Sequence, residues 1–459
     1  MRLLLVVALN GAITISLHVN QLTGAAGGRW QIPPRKRGPL GPVADAVEAL
    51  EMTAAHFWST DAKSKTDPAV SNEPVYAAAR PRLDSIDLLR GLVMVLMALD
   101  HVRDFFGTGG MNPRDVADPA LFLTRWVTHF CAPTFIFLAG VSAGLYGARG
   151  RSTGDVSRFL VSRGCWLILI EFTLVRFGWS FNLHLDVFVA QVIWVIGASM
   201  VVLAGLVYLP RWAIAGVGLI MIAGHNVLDT IHPEHLGAAG WLWNFLHQSG
   251  LVQLGPQTRL FVLYPLIPWA GVMAVGYALG PVFKLDRRTR ERLLIAAGLA
   301  VTAGFIVLRA ANVYGDPAPW SVQGGWLATM LSFLNCEKYP PSLLYLMMTL
   351  GPALILLALL ERAHGRIAGW ITAFGRVPFF FYVLHIVVIH ALAVALAWAT
   401  LGDAGWLFGA PPRQQPAGFG LSLPGIYAVW LLVVLALQPL CRWFAVLKQR
   451  RREWWWSYL

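Results

Sequence analysis

Long apolar runs recur along the chain from Ser85 onward, separated by short polar or Gly/Pro-containing stretches, and the first run sets the pattern. Residues 82–106 read RLDSIDLLRGLVMVLMALDHVRDFF, with an almost unbroken apolar centre from Leu88 to Leu99 and ionisable groups at both ends. At about 1.5 Å per residue such a stretch approaches the roughly 30 Å of a bilayer core. About ten runs of this kind follow one another, near residues 85–106, 126–147, 159–180, 187–208, 212–229, 259–281, 292–311, 340–361, 374–399 and 424–446. The predicted fold is all-α: a polytopic membrane helix bundle of about ten transmembrane helices over residues 80–447, closed by a basic and aromatic tail, 448–459.

The loops orient this bundle. Arg80 and Arg82, then Arg149, Arg151 and Arg158, Arg211, the run from Lys284 to Arg292, Arg362 and Arg366, and the tail from Lys448 all fall on one side. Short loops rich in Lys and Arg stay in the cytoplasm, so that side is cytoplasmic and both termini are inside. The opposite loops, near 107–119, 182–186, 225–255, 312–339 and 401–420, are rich in Gly, Pro, His and Trp. Residues 1–79 differ in composition and read as a poorly ordered extension. A signal peptide over the short apolar stretch from Leu3 to Leu17, or a true start at Met52, stays open.

Composition agrees with the pattern. Hydrophobic residues make up 57% and charged residues only 13%, with a mean hydropathy of +0.59, far more apolar than a soluble domain. The net charge of +12 falls between spans and in the tail rather than in one basic domain, which argues for topology and against a nucleic-acid partner. Four cysteines without CxxC spacing imply neither a disulfide framework nor a zinc site.

The candidate chemistry lies in ionisable groups at membrane depth. Each costs about 2.5–3.5 kcal/mol in lipid, so they turn toward protein or a wet cavity. On the first span Asp87, Arg90, Met94, Met97, His101 and Asp104 share an arc of about 100°, with Asp100 and Arg103 off it. Others fall at similar depth near the outer edge: His129 in THFCAPTF, Glu171 and Arg176 on the third span, Lys338 and Tyr339 in NCEKYPPS, and His385 and His390 on the ninth. Each has a plainer reading as a packing histidine, a stabilising ion pair or a solvated loop charge. Gly140 and Gly144 in AGVSAGLYG have the spacing of a close helix crossing. A histidine with a pKa near neutrality and an orienting carboxylate, Asp104 or Asp100, has the parts of a general base. No serine elbow, Walker loop, HExxH or EF-hand is present, and scattered His and Asp give only weak ground for a metal, so none is expected.

Five stretches carry a family likeness: RLDSIDLLRGLVMVLMALDHVRDFFG, HFCAPTFIFLAGVSAGL, LYPLIPWAGVMAVGYALG, NCEKYPPSLLYLMMTLGPALILLALLE and FGRVPFFFYVLHIVVIH. Through them the chain resembles the bacterial membrane proteins related to the catalytic domain of heparan-alpha-glucosaminide N-acetyltransferase, in the wider transmembrane acyltransferase group. That resemblance implies transfer of an acyl group, typically acetyl, from cytoplasmic acetyl-CoA or another acyl-CoA to an acceptor beyond the bilayer. It also implies an essential histidine near the outer face, for which His101 is the best match and His129 a candidate. The local sequence around the family histidine is absent here. Asp100 and Asp104 would assist it, while Glu171, Arg176, Lys338, Tyr339, His385 and His390 would meet a sugar-like amine or hydroxyl acceptor. Arg90, Arg163 and Arg376, near the inner ends of their spans, suit the CoA phosphates. A bacterial inner membrane is the matching location, and a homo-oligomer stays open. The rival reading is a proton-coupled transporter using His101, Asp104 and Glu171 as a relay, although the chain shows no internal duplication.

Overall fold

The computed structural model describes residues 84–409 and 415–451; the extension 1–79 and the end of the tail lie outside them. Seven helices among these residues are long and apolar enough to cross a membrane: Pro119–Gly147, Arg211–Thr230, Leu266–Lys284, Arg287–Ala311, Leu343–Arg362, Pro378–Leu401 and Leu423–Arg450. Three further expected runs are also helical. Helix α1, Asp84–Phe106, carries six charged residues, and α4, Thr153–Ile170, continues through a π-helical turn, Glu171–Val175, into α5, Arg176–Ser180. Helix α6, Val192–Leu206, has only 15 residues.

The second span is two helices in line, α2, Pro119–Thr128, and α3, Cys131–Gly147, and the run at 212–229 is α7, Arg211–Gly224, plus a 3-10 turn, His225–Thr230. After a short α8, Gly240–Leu246, come α9, Leu266–Ala278, α10, Arg287–Ala311, α11, Trp326–Leu334, and α12, Leu343–Leu359. The chain closes with α13, Arg366–Arg376, α14, Pro378–Leu401, and α15, Leu423–Arg450. The expected span 374–399 thus begins as the end of α13, because Pro378 at the first position of α14 lacks an N–H and sets a new start. Several helices are capped by short polar side chains: Asp118, Ser152, Asp286 and Ser342 each accept from the backbone N–H three residues on.

The all-α expectation fails at one place. Strands β1, Val187–Ala190, β2, Gly250–Gln253, and β3, Arg259–Val262, form a small sheet of order β1-β3-β2. β1 runs parallel to β3, pairing Val189 with Phe261, and β2 runs antiparallel, pairing Val252 with Leu260. Four-residue apolar strands directly ahead of an apolar helix merge with it in a hydropathy reading, which is why the runs at 187–208 and 259–281 looked like plain spans. Ala190, Val252, Leu260 and Val262 form the sheet's own core, covered by Phe172, Phe188, Trp194 and Phe245.

Basic groups gather at one end of the bundle. Lys284 donates to the Ala148 carbonyl at 2.8 Å, Arg290 pairs with Glu361, Arg362 with Glu291, and Arg376 with Asp84 at 3.3 Å. Large apolar side chains such as Leu299, Ile306 and Val307 on α10, or Leu431, Leu432 and Leu435 on α15, stay exposed, as a lipid-facing surface requires. Helices meet over glycines. Gly140 and Gly144 lie against Met273, Tyr277 and Gly280, and Gly91 and Gly375 let α1 and α13 touch backbone to backbone.

Candidate active site

Helix α1 sits among α3, α13, α14 and α15, and its inward face borders a cavity of about 340 Å³. At the basic end the cavity is lined by Arg90, Tyr146, Arg149, Phe159 and Arg163, and at the other by Asp100, Thr128 and Lys338. Apolar side chains from α3, α4, α6 and α14 make the wall between, including Phe135, Leu167, Ile193 and Phe379. Arg149 is exposed, so the basic mouth reaches the surface. A mostly apolar space with cations at one end and polar groups at the other suits a molecule with an anionic head and a chain.

Beside the far end stands His101. Its Nδ1 lies 2.7 Å from His385 Nε2, and His385 Nδ1 lies 2.8 Å from the Phe381 carbonyl. A carbonyl only accepts, so His385 carries its proton on Nδ1 and presents a bare Nε2. His101 must then donate from Nδ1, which leaves its own Nε2 as the lone-pair nitrogen. Among the described residues nothing takes up that nitrogen by a hydrogen bond. Trp179 meets the His101 ring edge-on at 5.1 Å and Tyr382 does so at 6.1 Å, fixing its plane. Its neighbours Met97, Asp100 and Tyr382 line the cavity, and His101 stands behind them rather than in the lining itself. His101 therefore has the tautomer of a general base, oriented by a histidine rather than by the expected carboxylate.

The carboxylates do something else. Asp100 accepts from Thr128 Oγ1 at 3.0 Å, pairs with Arg103 at 2.6 Å and faces Lys338 Nζ at 3.8 Å. Arg103 also holds Asp104 at 3.0 Å, and Asp104 is exposed. Asp100, off the polar arc in the helical-wheel reading, thus borders the cavity, while Asp104 faces away from it. Two cations and two anions form a neutral cluster between the cavity and the end opposite the basic mouth. Lys338 is placed by its neighbours: the Glu337 carboxylate accepts from the backbone N–H of Lys338 and Tyr339, both at 3.1 Å, and grips Arg114 with two bonds. Burial alone would discourage charge on Lys338, but the Tyr339 oxygen and Asp100 outweigh it and hold the ammonium above the usual lysine range.

Several other expected site residues are engaged in holding the fold. Glu171 is buried and accepts from the Trp194 N–H at 2.8 Å, so it serves the free N–H groups at the start of α6. Glu171, one of the three groups named for a proton relay with His101 and Asp104, is thus engaged at a helix start. Arg176 binds the carbonyls of Val187 and Asn182 and clamps the turn before β1. His390 bridges the Gly178 and Leu407 carbonyls and stacks on Phe181. His129 is buried with its ring edge-on to Tyr345 and with neither ring nitrogen hydrogen-bonded among the described residues; its neighbours Thr128, Cys131 and Ala132 line the cavity, but His129 itself does not. Tyr339 meets Tyr264 hydroxyl to hydroxyl at 3.4 Å. Arg90 lines the cavity but is tied to Asp87, Ser142 and the Gly375 carbonyl, whereas Arg376 lies outside the lining on Asp84. Arg149, Tyr146 and Phe159 at the mouth were missed in the sequence, since a loop arginine there is already explained by topology.

A family profile described as "Heparan-alpha-glucosaminide N-acetyltransferase, catalytic" matches residues 82–311, half of the chain. The chain belongs to this family. The heparan-alpha-glucosaminide N-acetyltransferase catalytic family is one of membrane acetyltransferases, which agrees with seven membrane-length helices and a lipid-facing apolar surface in an integral membrane protein. His101, Asp100, Arg90, Arg149 and Arg163 lie within the matched part; Lys338 and His385 lie beyond it. No curated protein matches the chain.

Proposed function

We propose that this protein transfers an acetyl group from cytoplasmic acetyl-CoA to an amine or hydroxyl of a sugar-like acceptor on the far side of a bacterial inner membrane. The loop charges support ten spans with both termini inside, which puts the arginine mouth in the cytoplasm. The observation that carries the reading is the cavity itself, running from Arg149 and Arg163 to Asp100 and Lys338 beside the His101–His385 pair. Arg149 and Arg163 hold the CoA phosphates, the pantetheine chain follows the apolar wall, and the thioester stops near Asp100. The acceptor approaches from the Asp104 side. As its nitrogen or oxygen attacks the thioester carbon, His101 Nε2 takes its proton, the carbon–sulfur bond breaks, and the same proton passes to the departing thiolate to give CoA thiol. Lys338, kept charged and buried, stabilises negative charge developing on the thioester oxygen.

The test is free thiol released by the purified protein in nanodiscs, with acetyl-CoA, and with or without glucosamine. Acceptor-dependent thiol release is expected; acetyl-CoA left untouched under all conditions would contradict the reading. A finer outcome concerns the mouth. Arg149→Ala and Arg163→Ala should each raise the KM for acetyl-CoA about tenfold, the worth of one charge-assisted phosphate contact, with kcat nearly unchanged. A fall in kcat at constant KM would remove both residues from donor binding.

A further inference from the structure

Away from the cavity, the end of the bundle opposite the basic mouth holds three metal-ligating side chains together. His225 and Asp229 are four residues apart, on the turn that ends the span begun by α7, and His247 follows directly on α8. One ligand atom from each lies within 4.8 Å of the other two. His247 Nε2 is 3.0 Å from Asp229 Oδ1, and the His225 and His247 rings are 5.6 Å apart. From the geometry we infer that His225, Asp229 and His247 bind a zinc-class divalent cation that braces this end of the fold.

Two observations beyond the cluster point to a ligand. His225 is 99% buried, with 1% of its surface exposed, yet neither ring nitrogen makes a hydrogen bond, the Pro341 carbonyl nearby falling short of that geometry. His247, also buried, leaves its Nδ1 without a partner. Buried polar atoms are rarely left without partners, because each forgoes its hydration for nothing. A cation supplies what is missing: two imidazole nitrogens and one carboxylate oxygen are the donor set zinc takes when one position stays open for water. Ligand atoms around tetrahedral zinc sit roughly 3.4 Å apart at bonds of about 2.1 Å, so side-chain shifts of about an ångström close the site. Asp229 is partly exposed and gives water access to the fourth position.

The surroundings resemble an orienting outer shell. Asn226 Nδ2 donates to Asp229 Oδ2 at 2.8 Å, fixing the carboxylate. The same Asn226 accepts, through Oδ1, from the Leu343 N–H at 2.9 Å at the first turn of α12. That turn is capped by Ser342, whose hydroxyl and the Glu337 N–H both meet Asp316, a carboxyl that burial pushes above its usual range. A cation here joins α7 to α8 and, through Asn226, to the 337–343 segment that carries Lys338. The inference rests on this cluster and not on the acyl-transfer reading. It departs from the expectation of no metal, which overlooked the four-residue spacing of His225 and Asp229.

The experiment loads the full-length purified protein with zinc chloride in detergent, removes excess metal and measures bound zinc by elemental mass spectrometry. About one equivalent per chain is expected, falling to background in Asp229→Asn, which keeps the side-chain shape, and in His247→Gln. His235→Ala, at a neighbouring histidine outside the cluster, should keep the equivalent. Cobalt(II) loading gives an independent reading through visible ligand-field bands, expected in the native chain and absent from Asp229→Asn. Elution as a folded monodisperse species separates loss of metal from loss of fold. No bound zinc in the native chain, or zinc retained equally in folded Asp229→Asn and His247→Gln, would overturn the assignment and leave the trio a hydrogen-bonded brace.

Discussion

His101→Ala is expected to reduce acyl transfer at least about 100-fold, and up to about 10,000-fold, while the protein still purifies as a folded species. General-base catalysis is commonly worth that range, about 2.7–5.5 kcal/mol of barrier. The expectation rests on the hydrogen-bond chain from the Phe381 carbonyl through His385 to His101, which leaves Nε2 of His101 as a lone pair. His385→Ala should give a smaller loss that acts through His101: the ring keeps its place between Trp179 and Tyr382 but loses the partner that sets its tautomer. The readout is thiol release at saturating acetyl-CoA, compared with acetyl-CoA binding. Binding should survive both substitutions. Full turnover in His101→Ala would end the assignment of the base.

Gly375→Val is the substitution expected to cost the fold most. A side-chain carbon at Gly375 would lie 1.7 Å from the Asp87 carbonyl oxygen and 2.7 Å from the Gly91 nitrogen, both rigid backbone of α1. Overpacking commonly costs about 1–3 kcal/mol when side chains can yield, and here none is in the way to yield, so the cost is at least about 3 kcal/mol. Helix α1 carries His101, Asp100 and Arg90, so parting it from α13 also disturbs the cavity. Gly369→Val on the same helix is the control, because no atom lies within 4 Å of its added carbon. Thermal unfolding in detergent should drop sharply for Gly375→Val and shift little for Gly369→Val. Equal melting of the two would contradict the crossing.

Much of the architecture is written in the hydropathy of the chain, because lipid demands apolar runs of about twenty residues. The helices over 266–284, 287–311 and 423–450 follow from that alone. The strands do not, since VFVA and RLFV are too short to separate from the apolar helices behind them. Among site residues, His101 stood out as an ionisable group at the end of an apolar run. Its partner His385 is 284 residues away, and pairing at that distance has no periodic trace in one sequence. Glu171 misled for a physical reason: a buried carboxylate signals a constraint, but a helix N-terminus meets the requirement as well as chemistry does. Asp229 shows the converse, with a spacing to His225 that was legible and a third ligand, His247, that arrives only through the fold.

The central claim is passage of the acyl group across the bilayer, from the arginine mouth to the Asp104 side, and sidedness tests it most directly. Sealed proteoliposomes of defined protein orientation would carry glucosamine inside and labelled acetyl-CoA outside. Labelled acetylglucosamine is expected in the lumen only when the Arg149 end faces the acetyl-CoA, and not with His101→Ala. Label on glucosamine supplied on the same side as acetyl-CoA, with none in the lumen, would contradict the account.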